Sequence, residues 1–222
     1  MYMEDSRFVG KINLLENSLE FIPDEDMNKI VRVLEQREVF GAELRLNDGR
    51  KISAKQRKKI FSIIADISAW NGDIPEYIRK VLTWYFRCEA DIEDFSLSNV
   101  DMTTAKEFIS YLINFCFAND VPTRDTLLHN CEDIYKYLYM CLEHRKCAIC
   151  NAPAEIHHVD RIGMGRNRNK INHLGLRAIA LCRKHHNETE IRERELFEEN
   201  HIYGIKLDKY LCKVLKLNYK EK

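Results

Sequence analysis

At 222 residues, with 45% hydrophobic and 32% charged residues, the chain has the composition of a soluble globular protein, large enough for one fair-sized domain and a small module. Its 35 basic and 35 acidic residues cancel, which excludes an affinity for nucleic acid spread over the whole molecule, and no stretch approaches a membrane span. Its eight cysteines do not signal an extracellular disulfide scaffold, because Met1-Tyr2-Met3-Glu4-Asp5 is polar from the start; a cytoplasmic protein is expected.

In chain order, Leu19 to Ile22 and Ala42 to Leu46 have strand character, with a helix predicted over Asp24 to Glu35. Asn47-Asp48-Gly49 is a turn signal that should lead into a second hairpin strand through Lys51 and Ile52. Ser53-Ala54-Lys55-Gln56 is a capping box opening a helix whose apolar face is Ile60, Phe61, Ile63, Ile64, Ile67 and Trp70. Asn71-Gly72-Asp73 ends it, and Pro75 begins the next helix, which carries Ile78, Val81, Leu82, Tyr85 and Phe86. A third helix follows Thr103, with Phe108, Ile109, Leu112, Ile113 and either Phe115 or Cys116 as core positions, until Asn119-Asp120-Val121-Pro122 breaks it. A fourth, from about Cys131 to Glu143, runs toward Cys147 with little free linker. Cys88, Cys116, Cys131, Cys141 and Cys212 are expected to be reduced, buried thiols. The basic run Arg50, Lys51, Lys55, Arg57, Lys58 and Lys59 reads either as a solvated face or as a track for single-strand phosphates.

The chemistry concentrates further on. Cys147-Ala-Ile-Cys150 and Cys182-Arg-Lys-His185 supply four ligands in two short knuckles, the shell of a structural zinc ion. Such a site has no open position, so this zinc should do no chemistry. His157, His158 and His186 are then left over. A purely structural zinc fold has no use for three additional histidines, whereas a site that activates water against a phosphodiester does. Between His157 and His186, Arg161, Arg166, Arg168, Lys170, Arg177, Arg183 and Lys184 face only Asp160 as an acid, and Gly163-Met164-Gly165-Arg166-Asn167-Arg168 reads as a glycine-hinged basic loop. Charge is also polarised along the chain. Residues 141–222 hold 17 Lys/Arg against 11 Asp/Glu, while residues 1–140 hold 18 against 24, which places nucleic-acid contact in the C-terminal part.

At these residues the segment from Arg145 to Ile202 resembles an HNH endonuclease of the zinc-knuckle kind, with a ββα-metal fold. The resemblance implies that His158 is the general base and that His157 and His186 hold a catalytic Mg²⁺ or Mn²⁺, with Zn²⁺ an alternative. Glu190, four residues beyond His186, would add a carboxylate ligand on the same helix face. The family's central residue, usually asparagine, has Asn172 and His173 as candidates. Arg177 stands where counting back from His186 puts it, but arginine has donors and no acceptor. A further resemblance, carried by Ile52-Ser53-Ala54-Lys55-Gln56-Arg57, the helix after it and Ile74 to Phe86, is to phage Orf (NinB) recombination proteins that bind single-stranded DNA. Phe95-Ser96-Leu97-Ser98-Asn99 with Ala105 to Phe117 is similar to a family of phage HNH nucleases over nearly the entire chain.

Together these readings give an α+β protein: a mixed DNA-binding domain over residues 1–140 and a zinc-stabilised HNH module over residues 141–222. The implied activity is metal-dependent endonucleolytic hydrolysis of single-stranded or branched DNA in phage recombination or replication, in the host cytoplasm. The implied partners are DNA, a second copy in a homodimer, and recombination or single-strand-binding proteins, with no membrane. The competing expectation is a zinc-stabilised module that docks DNA without cutting it. An RNA-directed nuclease differs by contacts to the 2′-hydroxyl, which no motif here displays.

Overall fold

A computed structural model describes residues 10–23, 49–160 and 171–220. The expected helix over Asp24 to Glu35, the strand over Ala42 to Leu46 and the basic loop over Gly163 to Arg168 therefore lie outside the described residues. The fold is α+β, with six α-helices and two small sheets among the described residues. The chain divides into two compact units, Met1–Leu46 and Asn47–Lys222.

In the first unit, β1 (Gly10–Leu14) pairs antiparallel with β2 (Leu19–Pro23), and Leu14 lies opposite Leu19 at the turn. The second unit begins where a hairpin strand was expected. Lys51 instead forms an isolated antiparallel bridge with Asp101, and Ile52 N–H donates to the Val100 carbonyl at 2.8 Å. Only three residues separate the turn glycine from the capping Ser53, too few to extend a strand before the helix begins.

Helix α1 (Ala54–Asn71) starts as a complete capping box between Ser53 and Gln56 and stops at Gly72, whose φ of 86° is the left-handed cap glycine adopts without strain. Its buried stripe is Ile60, Ile63, Ile64 and Ile67; Phe61 and Trp70, expected on that face, are 46% and 43% exposed. A stripe defined by spacing is wider than the part of a helix its neighbours cover. Helix α2 (Pro75–Ala90) has proline in its first turn, as the missing N–H allows there. It buries Ile78, Leu82 and Phe86 but leaves Tyr85 exposed. Helix α3 (Met102–Ala118), capped by the Asp101 carboxylate, buries Phe108, Ile109, Leu112, Ile113 and Cys116, with Phe115 packed at the edge. It packs against both preceding helices.

A 3-10 turn (Leu127–His129) and α4 (Ile134–Glu143) lead to the first knuckle. Beyond it, β3 (Glu155–His158), β4 (Arg177–Leu181) and β5 (Ile205–Lys206) form an antiparallel sheet in that order, with α5 (Arg183–Asn200) following β4 and α6 (Lys209–Val214) closing the unit. The β4 segment Ala178, Ile179, Ala180 and Leu181 is almost entirely buried. A single apolar core runs from Ile52 through α1, α3 and α4 to β4 and Leu215, and the expected boundary after residue 140 falls inside α4. Among the cysteines expected to be buried, Cys88 is exposed on α2 while Cys116, Cys141 and Cys212 are buried. Burial pushes the Cys116 thiol up to about 12, so it stays protonated and unreactive.

The basic run near the start of α1 is partly used by the fold. Arg57 donates to the carbonyls of Leu97 and Ser98, and Lys59 to the Cys131 carbonyl and the Glu132 carboxylate. Lys51, Lys55 and Lys58 stay exposed. No helix among the described residues is long and apolar enough to cross a membrane.

Candidate metal centre and nuclease site

The first knuckle is a tight turn held from behind. Cys147 N–H donates to the Ala152 carbonyl at 2.7 Å, Asn151 N–H returns to the Cys147 carbonyl at 2.9 Å, and Ala148 N–H reaches the Ala180 carbonyl of β4. Asn151 adopts a left-handed backbone (φ 59°), a conformation asparagine tolerates better than most residues. Its side-chain oxygen accepts from Leu127 N–H and the Thr126 hydroxyl, and its amide donates to the Tyr137 hydroxyl at 2.7 Å. Tyr137, fully buried on α4, donates in turn to the Ala148 carbonyl.

The second knuckle is the start of α5, with Cys182 as its N-cap and His185 in the first turn. One ligand atom from each of Cys147, Cys150, Cys182 and His185 lies within 4.8 Å of the others. Cys150 Sγ is 3.7 Å from Cys182 Sγ, and His185 Nδ1 is 3.3 Å from the sulfurs of both Cys147 and Cys182. A tetrahedron with zinc–sulfur bonds of about 2.3 Å has edges of about 3.8 Å, so these spacings fit one ion. Burial pushes the Cys147 thiol up to about 12. Burial opposes the thiolate at Cys182 too, but the His185 backbone N–H and the Cys150 and Cys147 side chains outweigh it and hold that thiol below its ordinary value. Burial also lowers His185, which favours the neutral, ligating ring. Three sulfurs and one imidazole are a donor set suited to zinc.

The remaining histidines sort to two sides of β3, as neighbours on a strand must. His157 meets α5: its ring centroid is 5.0 Å from that of His186, its Nε2 is 2.7 Å from Glu193 Oε1, and its Nδ1 is 3.5 Å from the Thr189 hydroxyl. His186 Nδ1 is buried and has no hydrogen-bond partner among the described residues. Burial, then the neighbouring His157, holds His186 below the ordinary histidine range. A ring biased toward its neutral form, with a buried nitrogen that has no partner among the described residues, is a fitting ligand for a divalent cation.

His158 meets His173 instead, Nε2 to Nδ1 at 2.9 Å. His173 is 3% exposed, and its backbone N–H donates to the Asn218 carbonyl. Of the two candidates for the central position, it is therefore His173 that reaches His158. Asn172 binds elsewhere: its side chain accepts from Leu174 and Lys220 N–H and donates to the Lys220 carbonyl. Arg177, at the counted position on β4, grips the far end of β3. Its Nε and Nη2 donate to Asp160 Oδ1 at 2.9 and 2.7 Å, and its N–H to Oδ2 at 2.7 Å. The Arg177 guanidinium holds the Asp160 carboxyl below the usual carboxylate range. This clamp ties Asp160, just beyond β3, to the first residue of β4.

Of the expected DNA contacts, Arg161, Arg166, Arg168 and Lys170 lie outside the described residues. Arg183 and Lys184 are exposed on the first turn of α5, with Arg183 paired to Glu155 at 3.2 Å. Glu190 is exposed; it is close enough to His186 to favour that ring's charged form, but the carboxylate in hydrogen-bond contact with the histidine pair is that of Glu193. Thr189 and Glu193 were absent from the expected set. Thr189 follows His186 by three residues, the spacing of one helix face, whereas Glu193 lies just past a break in α5 at Arg192 (φ −144°, ψ 49°) that no spacing rule announces.

A hairpin and helix joined at a cluster of three cysteines and one histidine thus present histidines on both sides of one strand. The family model described as "Putative HNHc nuclease" matches residues 24–218, and the chain belongs to that family. The protein is thus an HNH nuclease, a hydrolase of nucleic acid phosphodiesters. No curated protein and no solved structure matches it.

Proposed function

We propose that this protein is a metal-dependent DNA endonuclease that acts on single-stranded or branched DNA in phage recombination or replication. The observation that carries the reading is the pairing of His157 with His186, whose buried Nδ1 has no hydrogen-bond partner among the described residues, beside a second histidine pair on the other face of β3. In this reading Cys147, Cys150, Cys182 and His185 hold a structural zinc, and His157 and His186 hold a catalytic Mg²⁺ or Mn²⁺. When bound, that cation supplies charge neutralisation at the scissile phosphate and at the departing 3′ oxygen.

His158 removes a proton from the attacking water. The His158–His173 bond selects the tautomer for this step: when His158 Nε2–H donates to His173 Nδ1, the lone pair of His158 lies on Nδ1 and can accept a proton. Burial fixes His173, so the base is oriented before substrate arrives. Arg161, Arg166, Arg168, Lys170, Arg183 and Lys184 hold the DNA backbone without reading bases. The part up to residue 140 contributes further DNA contacts, with Lys51, Lys55 and Lys58 the exposed cations at its helix start.

The test is a cleavage assay on duplex, single-stranded, flap and four-way-junction DNA, with and without Mg²⁺ or Mn²⁺. Cutting only with a divalent cation, and faster on single-stranded or branched forms, is expected. Absence of cutting on all four shapes, in protein retaining its zinc, would overturn the reading.

A further inference from the structure

From β5 onward the sequence sorts into an anchored side and a charged side. Ile205, Leu207, Leu211 and Leu215 are buried in the core. The lysines set between and after them, Lys206, Lys209, Lys213, Lys216 and Lys220, are all exposed. Residues 203–220 hold these five lysines against Asp208 as the one acid, and the Asp208 carboxylate already accepts from Leu211 N–H and the Tyr139 hydroxyl. Lys206, Lys213, Lys216 and Lys220 form no ion pair among the described residues. Other cations beside the knuckle and the sheet are tied to carboxylates: Arg183 to Glu155, Arg177 to Asp160 and Lys146 to Asp120. A run of like charges without counter-charges is a surface suited to a polyanion.

The same stretch wraps the segment that carries His173. Gly175 N–H donates to the Leu207 carbonyl at 2.8 Å and Leu207 N–H to the Leu176 carbonyl at 2.9 Å. His173 N–H donates to the Asn218 carbonyl at 2.9 Å, and Lys220 N–H to the Asn172 side chain at 3.0 Å. Lys216 and Lys220 therefore flank the residue that holds the backbone of His173, whose ring meets His158. We propose that Lys206, Lys213, Lys216 and Lys220 form a phosphate track that holds the backbone of the DNA strand beside His158. The proposal rests on the reading of the protein as a DNA endonuclease. Ammonium groups on flexible stems meet phosphates as point charges, so the track places the strand without reading bases. Because the track is built on the segment that carries His173, it fixes the strand relative to the base.

Lysine footprinting on the unaltered, zinc-loaded full chain reads the track directly. With a single-stranded oligothymidine bound and no Mg²⁺ or Mn²⁺ added, acetylation by an activated ester, followed by mass spectrometry, should slow about threefold or more at these four lysines. Lys80, exposed on α2, which packs on α1 and α3, should react as before. The triple variant Lys213→Gln, Lys216→Gln and Lys220→Gln should weaken binding of the oligothymidine about tenfold at ~0.1 M salt and lower its salt slope by about two. Its zinc content and melting temperature should hold, since all three side chains are exposed. If the parent binds and cuts DNA, but the four lysines are acetylated alike with and without it, or the triple variant keeps the parent's salt slope, the proposal is overturned and the nuclease reading stands. A parent that neither binds nor cuts DNA of any shape would overturn both.

Discussion

Replacing His173 with alanine should slow cleavage although His173 itself takes no proton from water. Its Nδ1 is 2.9 Å from His158 Nε2 in a buried setting, and a net hydrogen bond of this kind contributes about 0.5–1.5 kcal/mol. If the whole of that is lost at the transition state, the rate falls about 2- to 13-fold. His158→Ala removes the base itself and should cost about 10²–10⁴-fold. Because the two rings act as one unit, the double variant should be no slower than His158→Ala alone. His173→Asn should recover part of the rate, since an amide oxygen can accept the Nε2–H that imidazole Nδ1 accepts. The assay is single-turnover cleavage at saturating Mg²⁺ on the best DNA substrate, with melting temperatures recorded because His173 is a buried residue. His173→Ala cutting at the parent rate, or a double variant slower by the product of the single losses, would refute the orienting role.

Cys150→Ser should lower bound zinc from one ion per chain toward none by elemental analysis. Structural zinc contributes an apparent 10–16 kcal/mol or so, comparable to the whole stability of a domain, so circular dichroism should show loss of structure. Arg166→Ala and Arg168→Ala should each weaken DNA binding regardless of base sequence and flatten the salt slope by about one, as read by fluorescence anisotropy at several salt concentrations. Tyr137→Phe removes the donor to Ala148 and the acceptor for Asn151 in a buried setting; denaturant titration should show a loss of about 1–3 kcal/mol, with zinc retained.

Features that depend on neighbours in sequence could be read before any coordinates. The capping box of Ser53 and Gln56, the glycine cap at Gly72 and the proline start of α2 are of this kind, and so are the two knuckles, each closed within one turn. What escaped depends on distant partners. Lys51 pairs with Asp101 across the whole of α1 and α2, and no local pattern announces that. Phe61 and Trp70 fit the apolar period of α1, but exposure is decided by where α3 lies against it. Helical spacing places Glu190 near His186, but Glu193 lies beyond the break at Arg192, and only the position of β3 brings His157 to it. His173 could be a candidate beside Asn172, but only the sheet and the Asn218 contact settle which side chain turns inward.

The knuckle's attachment to α4 bears on how the nuclease part can be moved between proteins. Asn151 is tied to Leu127, Thr126 and Tyr137, and Tyr137 to Ala148. A graft cut before Cys147 would carry the zinc ligands but strip the knuckle of the wall it leans on, exposing Ala178 to Leu181 of β4 to water. A transplantable piece must begin before Thr126 and bring the 3-10 turn and α4 with it, and the recipient must then cover the face of α4 that now packs on α3. The unit of exchange for an engineer is thus larger than the one the metal ligands mark out.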